Sequence, residues 1–499
     1  MVTIELDGNS LSIETLHAIM FDHTKISISG STRIRVNKSR ETINEFVNAE
    51  KVVYGVTTGF GSLKDKFINK DDVSTLQVNL IKSHSVGVGE PISIPLTRGM
   101  LALRINTLVK GYSGVRMELI EYLVNVFNLG IFSKVPSQGS VGASGDLAPL
   151  SHLFVGYLGE GELYDPKLEK FTDAAAVLNS YHIPLMVLDA KEGLALNNGT
   201  PFMTVHLADA VYRCERLLKN ATVVSALTLE ALRGTHRAFH SGIHEVRGHD
   251  GQIRIAAEMR DLLSDSNSHE VHGMNKVQDA YSLRCIPQVH GPVLETLEFA
   301  KNIVTKEMNA ATDNPLIIEG DVVSGGNFHG QYLASAADYL SIAITTLGNI
   351  SERRKERLVN SDLSKLNGFL VDKVENLGLE SGFMITQYTA AALAAENRTL
   401  SNPGSVHTIP TCQNSEDHVS MGAFAVRKLL SIVANTEKIV ALELLAAVQA
   451  KEFTKETTSP KLETVMKTVR ARVPHLHHDR FMGPDIAAVI DIVTQGSLI

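Results

Sequence analysis

The chain has 499 residues, 44% of them hydrophobic and 20% charged, with a formal net charge of −8. This composition excludes a disordered chain, and at roughly 150 residues per domain it makes room for two to four domains or one large fold. No basic stripe suits a polyphosphate, so no nucleic-acid partner is expected, and the absence of Trp counts against a surface that stacks on sugars or bases.

The N-terminus carries Glu5 and Asp7 and no apolar run, so no secretory signal is read there and a cytosolic location is expected. Cys214, Cys285 and Cys412 lie far apart and read as free thiols. Val2–Leu6 reads as a short strand and Arg33–Val47 as an amphipathic segment. Residues 54–63 and 136–147 are rich in Gly, Ser and Thr and mark tight turns. Leu76–Ser83 and Thr97–Lys110 carry helical periodicity, and after Pro149 the chain turns steadily helical. Three long runs follow, Val205–Leu232, Gln331–Leu358 and Val419–Val448, well above the mean helix of ~11–12 residues. Small residues on several faces suit burial on many sides. Leu429 to Ala450 is interrupted by Glu437, Lys438 and Glu443, so it reads as a buried helix and no membrane span is expected. The expected fold is mainly α. A loop-rich N-terminal part (1–200) precedes a bundle of long helices (201–499), as two domains or one continuous fold.

The most informative segment is Gly139-Ser140-Val141-Gly142-Ala143-Ser144-Gly145-Asp146-Leu147. Asp146 reads as an N-cap and Pro149 falls in the first turn behind it. No Lys-Ser/Thr follows and no strand–GxGxxG–helix context surrounds it, so a nucleotide loop is a poor reading. Two histidine groups, His236/His240/His244/His249 and His475/His477/His478, lack an HExxH pattern. They are read as surface or interface residues, with no metal site.

Embedded in this segment, Ala143-Ser144-Gly145 resembles the tripeptide that the aromatic amino acid ammonia-lyase family cyclises to 4-methylideneimidazol-5-one (MIO). The resemblance runs from Tyr54 to the C-terminal segment. It implies an electrophile made from the chain itself, on the loop-rich N-terminal part, with no external cofactor. Tyr54, in Tyr54-Gly55-Val56-Thr57-Thr58-Gly59, is similar to the family's β-proton base. That role asks for a pKa lowered from about 10 by nearby donors or a positive helix end. Asn198 resembles the asparagine beside the electrophile, although Asn197 and Pro201 depart from the histidine-specific pattern. In Gln278-Asp279-Ala280-Tyr281-Ser282-Leu283-Arg284, the resemblance implies that Arg284 clamps a carboxylate, Tyr281 sits near the electrophile and Gln278 supports the site. Asn314 and Phe328 match further family segments, Phe328 as a residue packing on the ring.

Substrate choice rests on His84 and Glu416. Glu in Asn414-Ser415-Glu416-Asp417-His418 resembles the histidine-specific members, and a carboxylate can accept from an imidazole N–H. The implied reaction is deamination of L-histidine to trans-urocanate and ammonia; the alternative is a tyrosine ammonia-lyase or an aminomutase of the same family. The resemblance also implies a homotetramer with shared sites. Tyr54 with Asn198, Tyr281 with Arg284, and Phe328 with Glu416 would come from different subunits.

Overall fold

Serines mark several helix entrances, their hydroxyls accepting an amide left over in the first turn. The computed structural model describes residues 2–22, 24–267, 277–496 and 498–499. β1 (Thr3–Leu6) pairs in parallel with β2 (Lys25–Ile28). Ser29 then caps α1 (Gly30–Asn48) through the Thr32 amide. α2 (Val73–His84) and α3 (Ile94–Leu108) follow, α3 opened by Ser93 with Pro95 in its first turn. α4 (Leu147–Val155) and α5 (Glu192–Asn197) are short. The long elements are α6 (Pro201–Ala231), α7 (Ile286–Met308), α8 (Gln331–Val359) and α10 (Gly422–Glu452), with α9 (Met384–Leu400) between the last two. Strands are few and short, so the fold is mainly α as expected. Among the described residues no helix is long and apolar enough to cross a membrane.

The chain divides into two compact units. The first holds residues 1–212, 301–338 and 403–427, and the second 213–300, 339–402 and 428–499. Each of the four long helices therefore contributes residues to both units.

In the first unit, Val56 packs with Ile43, Val73, Ala190 and Ile317, fixing the loop that begins at Tyr54. Arg40 reaches Asp189 Oδ2 (2.6 Å) and the Ala190 carbonyl (2.9 Å), tying α1 to the segment before α5. In the second unit, Ala390 and Ala394 of α9 pack with Ile439 and Leu442 of α10, small residues allowing close approach. The two acids that interrupt α10 are paired. Glu443 is fully buried and accepts from Arg354 Nε (2.6 Å), Ser351 Oγ (2.6 Å) and Thr228 Oγ1 (2.7 Å), and Glu437 accepts from Arg213 (2.7 Å).

Candidate active site

The Gly-rich loop after residue 138 takes conformations that side chains resist. Gly139, Gly142, Ser144 and Gly145 have φ of 125°, 77°, 49° and 78°. A Cβ on Gly145 would lie 1.9 Å from the Gly199 carbonyl oxygen, and one on Gly142 would lie 2.1 Å from Ser420 Oγ. Neither position accepts Ala without displacing backbone or a buried hydroxyl. The Asp146 amide donates to the Gly199 carbonyl (2.7 Å), and the Met421 amide donates to the Val141 carbonyl (2.9 Å). Ala143, Ser144 and Gly145 are thus gripped from two distant parts of the sequence.

Asp146 does precede a helix, α4, but its side chain does not cap it. Oδ2 instead accepts from the Phe202 and Met203 amides (2.7 and 3.2 Å) at the start of α6. Burial pushes this carboxyl up to about 8, against the pull of those two amides and of Arg104. The expected cap of the helix behind Asp146 is therefore corrected: the side chain serves the start of α6 instead.

Five of the proposed residues meet in one cavity of about 460 Å³ in the first unit: Tyr54, His84, Ser144, Asn198 and Glu416. Its volume lies in the ~300–1,000 Å³ range of small-molecule sites. Leu76, Leu80, Leu147 and Leu194 supply apolar wall. Tyr54 is half-buried, and its hydroxyl oxygen accepts from the Gly61 amide (3.2 Å). Burial raises its pKa; Gly61 opposes, and the Glu416 and Cys412 charges add to the rise. The lowered pKa expected of a base is therefore not produced by this loop, because one amide donor does not offset desolvation beside an acid. His84, at the end of α2, has its pKa lowered by burial against Glu416 and the Leu80 carbonyl. Its Nδ1 lies 3.0 Å from Ser83 Oγ. Asn198 follows α5 and is buried, its Oδ1 without a hydrogen-bond partner.

Glu416 was assigned with Phe328 to a different subunit from Tyr54 and Asn198. The structure corrects this: Ser144 Oγ donates to Glu416 Oε1 (3.1 Å) in the same chain. The loop that carries Glu416 returns to the Gly-rich loop through Ser420 and Met421, a contact that no local pattern announces. Thr411 and Cys412 were also missed. Thr411 Oγ1 donates to Glu416 Oε2 (2.7 Å), and Cys412 Sγ accepts from the Ser62 amide (3.3 Å).

The remaining proposed residues do not line this cavity. Gln278 and Arg284 line one of about 400 Å³ in the second unit, with Arg237 and His240. Arg284 Cζ lies 4.6 Å from the Tyr281 ring centroid, its Nε has no hydrogen-bond partner, and Tyr281 is exposed. Phe328 lies in the loop before α8, which is held by Asn314, whose Oδ1 accepts from the Gly325 amide (2.6 Å). Of the histidines read as surface residues, His244 is instead buried, between the Ala238 carbonyl (3.2 Å) and Gln252 (2.9 Å). His475 and His477 approach Asp372 (3.0 and 3.3 Å), and His475 also approaches Glu452 (2.5 Å).

A mainly α fold bearing this gripped tripeptide belongs to the aromatic amino acid lyase family, whose description matches residues 11–471. Its relatives narrow the class. The chain is 49% identical to the histidine ammonia-lyase of Bos taurus over 99% of its own length and 76% of that protein. The crystal structure of histidine ammonia-lyase from Trypanosoma cruzi superposes with a TM-score of 0.92 at 44% identity, covering 100% of this chain and 94% of that one. A tyrosine aminomutase from Streptomyces globisporus superposes with a TM-score of 0.93 at 37% identity, covering 100% and 98%.

Proposed function

We propose that the chain is a carbon–nitrogen lyase that deaminates L-histidine to trans-urocanate and ammonia, on an MIO group formed from its own Ala143, Ser144 and Gly145. The residues present fit such a group. Gly145 has no room for a Cβ, Ser144 is held in the left-handed region, and Ala143 is buried. When formed, the group supplies an electrophile that turns the substrate's amine into a better leaving group. The observation that carries the histidine reading is Glu416 in the cavity wall, 3.1 Å from Ser144 Oγ. A carboxylate there accepts the imidazole N–H and offers nothing to a phenyl ring. His84 in its neutral form adds a second polar contact without repelling a charged imidazole.

Tyr54 is the proposed base for the β-proton, although burial by itself favours its neutral form. The substrate ammonium, placed beside it, would favour the anion that burial opposes. Asn198, with an unpartnered carbonyl oxygen, would orient the amine. Arg284, with an unpartnered Nε, would clamp the carboxylate and Gln278 would support it, while Tyr281 and Phe328 would close on the electrophile. We place these four in the same pocket through a homotetramer in which other copies of the chain supply them, acting in the cytosol.

The test is to give the protein L-histidine, L-tyrosine and L-phenylalanine separately and follow the ultraviolet absorbance of each product. Urocanate formation faster than the other two supports the reading. Preferential turnover of L-tyrosine would transfer the assignment to the tyrosine branch of the family.

A further inference from the structure

Loss of the Ser144 hydroxyl is what creates the electrophile's methylene, and this hydroxyl is not left to solvent. Glu416 Oε1 stands 3.1 Å from it, and the other carboxylate oxygen is held by Thr411 Oγ1 at 2.7 Å. The two residues also clasp through their backbones, Thr411 N to Glu416 O (3.0 Å) and Glu416 N to Thr411 O (3.3 Å). Between them Cys412, Gln413 and Asn414 run in the left-handed region, with φ of 49°, 55° and 64°. Three such non-glycine residues in a row persist only where the surroundings hold them. The loop aims a carboxylate, fixed at both oxygens, at the one hydroxyl that must depart.

We propose that Glu416 acts before any substrate arrives, as the general acid for dehydration of Ser144, with Thr411 as its positioning residue. The inference rests on the reading that Ala143-Ser144-Gly145 cyclises. Ring closure joins the Gly145 nitrogen to the Ala143 carbonyl carbon. That carbonyl oxygen leaves as water with the hydrogens of the Gly145 and Ser144 amides. In the second step the Cα–H electron pair of Ser144 becomes the Cα–Cβ double bond, and Cβ–Oγ breaks with its pair on oxygen. Glu416, as the carboxylic acid, gives its proton to that oxygen and water departs. The Cα proton passes to solvent, which reprotonates Glu416, so the net loss is one water and no redox partner is needed.

Intact-mass spectra, taken at intervals after synthesis of the full chain, test this. The wild type should become lighter by two waters. Glu416→Gln should accumulate chains that keep the second water, with dehydration slowed by the ~10²–10⁴-fold typical of a lost general acid. Thr411→Val should slow the same step less, and Thr411→Ser should restore the wild-type rate. Loss of two waters by Glu416→Gln as fast as by the wild type overturns the proposal. If Glu416→Gln does not fold, equal rates in Thr411→Val and Thr411→Ser overturn it instead. A wild type that keeps both waters would sink the cyclisation reading itself, a separate result.

Discussion

Gly145 shows how much a single position can demand. The missing Cβ would fall on the Gly199 carbonyl, so the turn and the close approach both require glycine. That requirement was legible, because a Gly–Ala–Ser–Gly run points to an unusual turn. The partner, Gly199, was not, since nothing in the sequence says which backbone the turn will meet. His206 shows a second residue-scale effect. It is fully buried on α6, donates from Nδ1 to the Phe202 carbonyl (2.7 Å), and burial lowers its pKa to about 4. Below about pH 6.5 the unfolded chain binds a proton that the folded chain refuses, so stability falls as pH falls and the loss levels off near pH 4. At pH 5 the loss is about 2 kcal/mol. Urea midpoints at pH 7 and pH 5 should therefore lie closer together in His206→Gln than in the wild type. Parallel shifts in the two proteins would remove His206 as the cause.

At the scale of elements, the apolar periodicity located α6, α8 and α10 to within a few residues, because long Ala- and Leu-rich faces have few alternatives to a buried helix. α7 was not read, since Pro292 sits inside it and His290 interrupts its face. The charges within α10 argue for a buried helix rather than a membrane span, but do not say what pairs with them. The two acids, Glu443 and Glu437, are buried because each meets a cation from another helix: Arg354 of α8 for Glu443 and Arg213 of α6 for Glu437. Arg354→Met would leave Glu443 in the core with only two hydroxyl donors. Breaking a buried pair in this way costs about 3–5 kcal/mol. Thermal unfolding should show a large fall for Arg354→Met, and a smaller one when Glu443→Leu is added to it. An equal or larger fall in the double variant would mean that the pair itself, not the stranded charge, carries the energy.

For the whole molecule, one chain brings together only part of the residue set that the family resemblance implies, and it sets Glu416 beside Tyr54 and Asn198 rather than apart from them. Tyr54, His84, Ser144, Asn198 and Glu416 line one cavity, whereas Gln278 and Arg284 line another. Residue spacing along a chain carries no information about which copy completes a pocket. The proposed shared site makes a quantitative prediction. Chains of Ser144→Ala and Arg284→Ala, each inactive, are mixed under conditions of subunit exchange. If the two residues of one pocket come from different copies, about a quarter of the pockets in a random mixture regain both. Activity should rise from near zero towards that fraction, and no recovery with exchange verified would mean that each pocket is built from a single chain.

The grip on the tripeptide also sets a clock. Its holds come from Gly199, Glu416, Ser420 and Met421, the last of them nearly 280 residues beyond Ser144. A ribosome has put the tripeptide into solution long before it makes the residues that shape it. The proposed ring can therefore form only after translation has passed residue 421 and the late segment has folded back. A chain stalled or cleaved before that point would carry an ordinary serine for its whole lifetime. Dehydrated Ser144 would then serve the cell as a date stamp, borne only by chains that had passed residue 421.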